Sequence, residues 1–188
     1  RYEGEFQNNI PVGIFKYYTE SGMLKANLEY FNDGKSASAR LYYPNGKVQA
    51  VGLYSQEKKD SLWRYYNDEE ILVLEEVYQA GMLHGEIKKY YKNSNVAEIF
   101  TYVQGVKDGE WKQFYEDGNQ MVKCLYKKNK LNGYYIRYYQ DGRREFEGRY
   151  YNDLKNGIWK FYLSNGNLNY ELEYDNGQLL TELELEDE

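Results

Sequence analysis

The sequence predicts an all-β fold, an elongated antiparallel meander of tandem β-hairpins in a single-layer array. Three observations predict it. Tyr is abundant at 24 residues, with 17 glycines and only 2 prolines, a balance that favours strands joined by tight turns. Mean hydropathy is −0.92, too low for a deep aliphatic core, so tyrosine rings must supply burial while their hydroxyls stay at a wet edge. The third is a self-similarity at a fixed spacing of 24 residues, which needs no gaps anywhere.

Laid in rows of 24, the 188 residues give full repeats at 13–36, 37–60, 61–84, 85–108, 109–132, 133–156 and 157–180. Partial repeats fill 1–12 and 181–188, and the whole of 1–188 reads as one repeat domain. The eighteenth place of every full row is Tyr: Tyr30, Tyr54, Tyr78, Tyr102, Tyr126, Tyr150 and Tyr174. At the sixth place stand Tyr18, Tyr42, Tyr66, Tyr90, Phe114, Tyr138 and Tyr162. The third place is mostly large: Phe15, Ala39, Trp63, Ile87, Trp111, Tyr135 and Trp159.

Each row is expected to be one hairpin. Asn45-Gly46, Asp117-Gly118, Asp141-Gly142 and Asn165-Gly166 supply the positive φ angles of a turn at the tenth place. A second turn is expected at the row boundary, as in "NKLNG" (129–133) and "NDLKNG" (152–157). The second strand carries Leu24, Val48, Leu72, Val96 and Leu168 and then the Tyr row on its packed face. In the first strand the aromatic third and sixth places differ in parity. Either a bulge intervenes or aromatics line both faces. Strand spacing gives about 10 Å per row, hence a rod or trough of roughly 70 Å.

The fourth place carries Lys16, Arg40, Arg64, Lys88, Lys112 and Lys160, read as a solvated edge paired across strands with glutamates such as Glu29, Glu147 and Glu173. Rows three and four depart from the frame: "NDEEIL" (67–72) and "KNSNVA" (92–97) lack the turn Gly. Drift explains this, and divergence shaping a ligand patch is the alternative.

The chemistry-bearing residues are few. A net charge of −6, with both signs interspersed, argues against nucleic acid. His84 is the one histidine and Cys124 the one cysteine, which excludes His-rich and Cys-cluster metal spacings and an internal disulfide framework. Cys124 falls in register with Leu28, Phe100 and Leu172, a core position. No Gly-rich phosphate loop with its Lys is present. No catalytic, cofactor or metal-binding residue is assigned, and the chain is expected not to be an enzyme. Its candidate binding surface is Trp63, Trp111 and Trp159 with Tyr43, Tyr91, Tyr115 and Tyr139. Such rings are the usual anchors of protein interfaces. The chain opens at "RYEGEF" without an initiator Met, as a processed or trimmed protein would.

At "YEGEF" (2–6) and "FEGRYYNDLKNGIW" (146–159) the chain resembles the MORN repeat, in the variant class common in bacteria whose rows read Gly-x-Trp-x-x-Tyr-Tyr-x-Asn-Gly. The resemblance implies a β-array used for protein contacts, self-association or membrane tethering. The function expected is a non-enzymatic scaffold that meets a protein partner through its aromatic surface. Carbohydrate or cell-wall binding through exposed Trp and Tyr is the first alternative and phospholipid association the second. Related bacterial chains carry antitoxin labels, which adds an immunity-type role. Some are exported, which favours an extracytoplasmic site over the cytoplasm.

Overall fold

The computed structural model describes residues 1–184, so the end of the acidic tail, 185–188, lies outside the described residues. The chain divides into two compact units, one from Arg1 to Ser94 and a second beginning at Asn95. The first unit carries β1 (Tyr2–Gln7), β2 (Ile10–Tyr18), β3 (Leu24–Phe31), β4 (Ser36–Tyr42), β5 (Val48–Ser55), β6 (Lys58–Tyr66), β7 (Leu72–Gln79), the short β8 (Met82–Leu83) and β9 (Gly85–Tyr90). The second carries β10 (Val96–Val103), β11 (Val106–Phe114), β12 (Gln120–Lys127), β13 (Lys130–Tyr138), β14 (Arg144–Tyr151), β15 (Leu154–Tyr162), β16 (Leu168–Asp175) and β17 (Gln178–Glu184). Within each unit successive strands pair antiparallel, save that β8 and β9 both pair with β7, so the fold is a meander of hairpins. No helix is present among the described residues.

The turn inside each row has one geometry. Gly46 N–H donates to the Tyr43 carbonyl and Tyr43 N–H donates to the Lys47 carbonyl, a three-residue loop closed by a left-handed residue. Rows three and four keep this turn without glycine. Glu70 and Ser94 take φ of 65° and 68°, and their N–H groups donate to the carbonyls of Asn67 and Tyr91. The missing glycines therefore leave strain, not a new shape.

The second turn lies earlier than the row boundary. Lys128-Asn129 and Asn152-Asp153 are two-residue turns with both φ positive, the form that matches strand twist. The boundary glycines Gly133 and Gly157 sit inside β13 and β15. There they form a bulge. Asn156 faces Arg149 and Lys160 faces Glu147, so β15 holds two extra residues opposite Gly148. The same offset recurs opposite Gly4 and Gly52. Row two alone among the bulge sites of the first unit differs in this: β3 and β4 pair without a register shift, with Ala37 in the glycine place.

Because the bulge precedes the third place and adds an even number of residues, it leaves the parity question to its other answer. Aromatics line both faces. A further one-residue bulge in the second strand corrects one expectation. Leu24, Val48, Leu72 and Leu168 face Tyr18, Tyr42, Tyr66 and Tyr162, whereas Ala26 and Ala50 face Tyr17 and Tyr65. One extra residue moves a side chain to the other face, so the aliphatic place and the Tyr row part company.

Candidate binding surface

The packed face is built from the third place. Phe15, Ala39, Trp63, Ile87 and Trp159 are buried, together with Ala26, Ala50, Val122 and Cys124. Where the facing residue of the preceding strand is glycine, the ring lies flat on its backbone. A β-carbon on Gly52 would fall 2.2 Å from Cδ2 of Trp63, and one on Gly148 would fall 2.3 Å from Cδ2 of Trp159. The ring then reaches a carbonyl beside that glycine: Trp63 Nε1 donates to Leu53 O at 3.0 Å and Trp159 Nε1 to Arg149 O at 3.2 Å. At Trp111 the facing residue is Phe100, which stacks on it at 5.7 Å. This lifts the indole, and its buried N–H meets no acceptor among the described residues.

The eighteenth-place tyrosines, half-buried, stand edge-on to these rings. Tyr30 meets Phe15 at 5.1 Å, Tyr54 meets Trp63 at 5.0 Å and Tyr150 meets Trp159 at 5.1 Å, all near-perpendicular. That is the favoured edge-to-face arrangement. A lysine closes the cages of Trp63 and Trp159. Lys59 Nζ lies 4.7 Å from the Trp63 ring and 5.1 Å from Tyr78, and Lys155 Nζ lies 4.5 Å from Trp159 and 4.8 Å from Tyr174. Lys107 sits 4.2 Å from Phe100. Sequence reasoning missed these lysines. The signal was present, since Lys59, Lys107 and Lys155 each precede a tryptophan by four residues, every second row.

The opposite face is polar. Fourth-place cations alternate with fifteenth-place residues across the strands, and the strand register pairs Arg64 with Glu75 and Lys160 with both Glu147 and Glu171. Ion pairs form at Arg64–Glu75 (2.8 Å) and Lys160–Glu171 (3.1 Å). The cations thus meet acids at the places of Glu75, Glu147 and Glu171. Glu29 and Glu173 instead face Ser38 and Ile158 or Thr181. Sixth-place hydroxyls join this ladder: Tyr90 donates to Glu75 and Tyr162 to Glu147, both at 2.7 Å. In the second unit Lys112 and Lys123 face each other and share Glu110, which also accepts from the Tyr134 hydroxyl. Hydrogen bonds from Lys112, then Tyr134, hold the Glu110 carboxyl down to about 2.

The candidate residues divide accordingly. Trp63 (0% exposed) and Trp159 (1%) are interior packing residues, and their expected place on an exposed binding surface is corrected: the glycine beneath each ring draws it onto the sheet. Trp111 is half-buried. Tyr43, Tyr115 and Tyr139 are half-buried too, and their hydroxyls donate at 2.8 Å to the carbonyls of Tyr66, Tyr138 and Tyr162 in the next row. They tie row to row. Tyr91 occupies the same place and is half-buried.

An open groove of about 770 Å³ lies on the packed face of the first unit, at row two. Ala39, at the third place of row two, is buried with Ala50 and Trp63 and is not part of the groove's lining. Ala37, Leu28 and Leu41 line the floor, Tyr17, Tyr30 and Tyr54 the walls. Arg1, Lys25 and Lys35 stand at the rim against Glu57.

Cys124 is fully buried, and burial pushes its thiol up to about 12, as suits an unreactive core residue. Among the described residues no group of three or more His, Cys, Asp or Glu side chains is placed to hold a metal ion.

A meander of hairpins held rung to rung by aromatic rings is the architecture of a β-hairpin repeat protein. The chain belongs to the MORN repeat variant family, which matches residues 11–32, 35–56, 83–104, 107–128 and 155–176. Residues 11–32 hold β2 with β3, and 107–128 hold β11 with β12, so the family unit is one hairpin. No curated protein matches the chain.

Proposed function

We propose that this chain is a non-enzymatic binding scaffold that recognises a protein partner through the aromatic face of its sheet. The observation that carries this reading is the row-two groove, an uncovered, tyrosine-walled depression on the packed face of the first unit. Aromatic walls around an aliphatic floor give large contact area at low entropic cost, the usual basis of a protein interface. Membership of a repeat family supports a binding role. The glycan alternative draws on exposed indole faces, and two of the three tryptophans are buried.

The reading is tested by photo-cross-linking. A photoreactive residue is placed at Tyr17 or Tyr54 on the aromatic face and at Arg40 on the opposite face, and partners are captured from the native host. Cross-links that form at Tyr17 and Tyr54, saturate, and are competed by unlabelled chain are the expected result. Equal capture at Arg40, or capture that competitor leaves unchanged, refutes it.

A further inference from the structure

We infer that the row-two groove takes an aromatic side chain of the partner, flanked in its sequence by carboxylates. This occupant presupposes the protein-binding reading above, and its chemistry follows from how the molecule holds its own rings. One repeat on, at Trp63, a third-place ring is gripped by the edge of Tyr54 at 5.0 Å and capped by Lys59 at 4.7 Å. Near Trp159 the same grip recurs with Tyr150 and Lys155. The groove offers the same kinds of group, Tyr30 and Tyr54 at its walls and Lys35 at its rim, although row two lacks the bulge: Ala37 faces Tyr30 where Lys59 faces Tyr54, and Lys35 stands in the turn.

What row two lacks is the ring. Ala39 stands where Trp63 and Trp159 stand in their rows. Lys59 and Lys155 are half-buried against their indoles, whereas Lys35 is exposed at the groove rim. The floor is only partly refilled, since Leu28 replaces the glycine seen at Gly52 and Gly148 yet the depression stays open. An incoming indole or phenyl ring would find Tyr edges at its sides, aliphatic carbon below and an ammonium above, the environment that the chain builds for its own rings.

Charge sets the rest of the partner's chemistry. Arg1, Lys25 and Lys35 outnumber Glu57 at the rim, so acidic residues beside the aromatic one find cations on either hand and basic ones are repelled.

The experiment titrates the full chain, with labelled methyl groups, with acetyl-Glu-Trp-Glu-amide. Controls are the same peptide with Ala for Trp and with Lys for Glu. Saturable shifts of the Leu28, Leu41 and Ala37 methyl signals are expected, with Kd weakened about tenfold or more in each control, the equivalent of losing one well-buried contact. The variant Leu28→Trp sets an indole on the floor of the groove and is expected to abolish the shifts of the remaining Leu41 and Ala37 methyls. Lys35→Glu, at an exposed site, is expected to weaken binding of the acidic peptide while leaving the fold unchanged by circular dichroism. Unshifted methyls, an Ala peptide that binds equally well, or retained binding in both variants would overturn the inference. If partner cross-links still map to the aromatic face in that event, the scaffold reading stands without the groove; cross-links confined to Arg40 remove the scaffold reading itself.

Discussion

Gly148 lies directly beneath the indole of Trp159, so close that a β-carbon there would sit 2.3 Å from the ring. The contact joins two strands of different rows, and Gly52 with Trp63 repeats it in the other unit. Glycine is weak in strands, with no side chain to pack, and here the ring supplies that packing. Replacing Gly148 or Gly52 by Ala is therefore expected to destabilise by about 1–3 kcal/mol, as overpacked cores do. Urea unfolding measures it. An alanine variant as stable as the parent would show that the ring moves aside freely.

The three tryptophans are not equivalent. Trp63 and Trp159 donate to backbone carbonyls, while the Trp111 N–H is buried and meets no acceptor among the described residues. Substitution by Phe removes a satisfied hydrogen bond at the first two and relieves an unmet donor at the third. Trp111→Phe is expected to cost about 1 kcal/mol less than Trp63→Phe or Trp159→Phe. Equal losses in parallel denaturation curves would count against the assignment.

Strain is stored at two turns. Glu70 and Ser94 are exposed and left-handed, where a side chain costs about 1–2 kcal/mol. Glu70→Gly and Ser94→Gly are expected to stabilise by about 0.5–1 kcal/mol, after the added unfolded-state freedom of glycine is set against the relief. A fall in melting temperature in both would refute this.

Row-to-row hydrogen bonds from Tyr115 and Tyr139 have a defined value. Tyr→Phe at either position keeps the ring and removes only the donor, so a loss of about 0.5–1.5 kcal/mol each is expected. Hydrogen exchange at the Tyr138 and Tyr162 turns should quicken in the same variants. Unchanged exchange would mean that the ring, not the hydroxyl, holds the rows together.

Acid sensitivity centres on Glu110. Its carboxyl is held down from 4.5 to about 2, first by Lys112 and next by the Tyr134 hydroxyl. A depressed acid stabilises the fold above its unfolded value and loses that contribution as pH falls through its folded one. The Glu110→Gln variant is expected to be weaker than the parent at neutral pH, with the gap closing between about 4.5 and about 2. The pH dependence of the urea midpoint checks this; a gap of constant width would exclude the Glu110 cluster.

Strand identity and repeat length were readable because Tyr30 to Tyr174 fall on one ruler, and the identity of each unit as a hairpin follows from Asn-Gly and Asp-Gly turns. Facing was harder. Leu24 and Tyr30 share parity in the sequence, yet a bulge between Leu24 and Ala26 separates them, and bulges leave little trace beyond a misplaced residue. Trp63 and Trp159 read as surface anchors because the sequence does not announce that Gly52 and Gly148, eleven residues earlier, lie under them. The row-two groove was hidden for another reason: Leu28 and Ala37 look like ordinary drift until Tyr17, Tyr30 and Tyr54 prove to stand around them as walls.

The return of tryptophan at every second third place has an evolutionary corollary. Trp63, Trp111 and Trp159 recur at 48 residues, with Ile87 and Tyr135 between them. Excising the single row 133–156 would set Trp159 against Cys124, whose side chain occupies the room that Gly148 leaves. Excising two rows together would bring like back beside like. Arrays of this kind should therefore lengthen or shorten by duplicated pairs, and an odd-numbered gain or loss would demand compensating change at the splice.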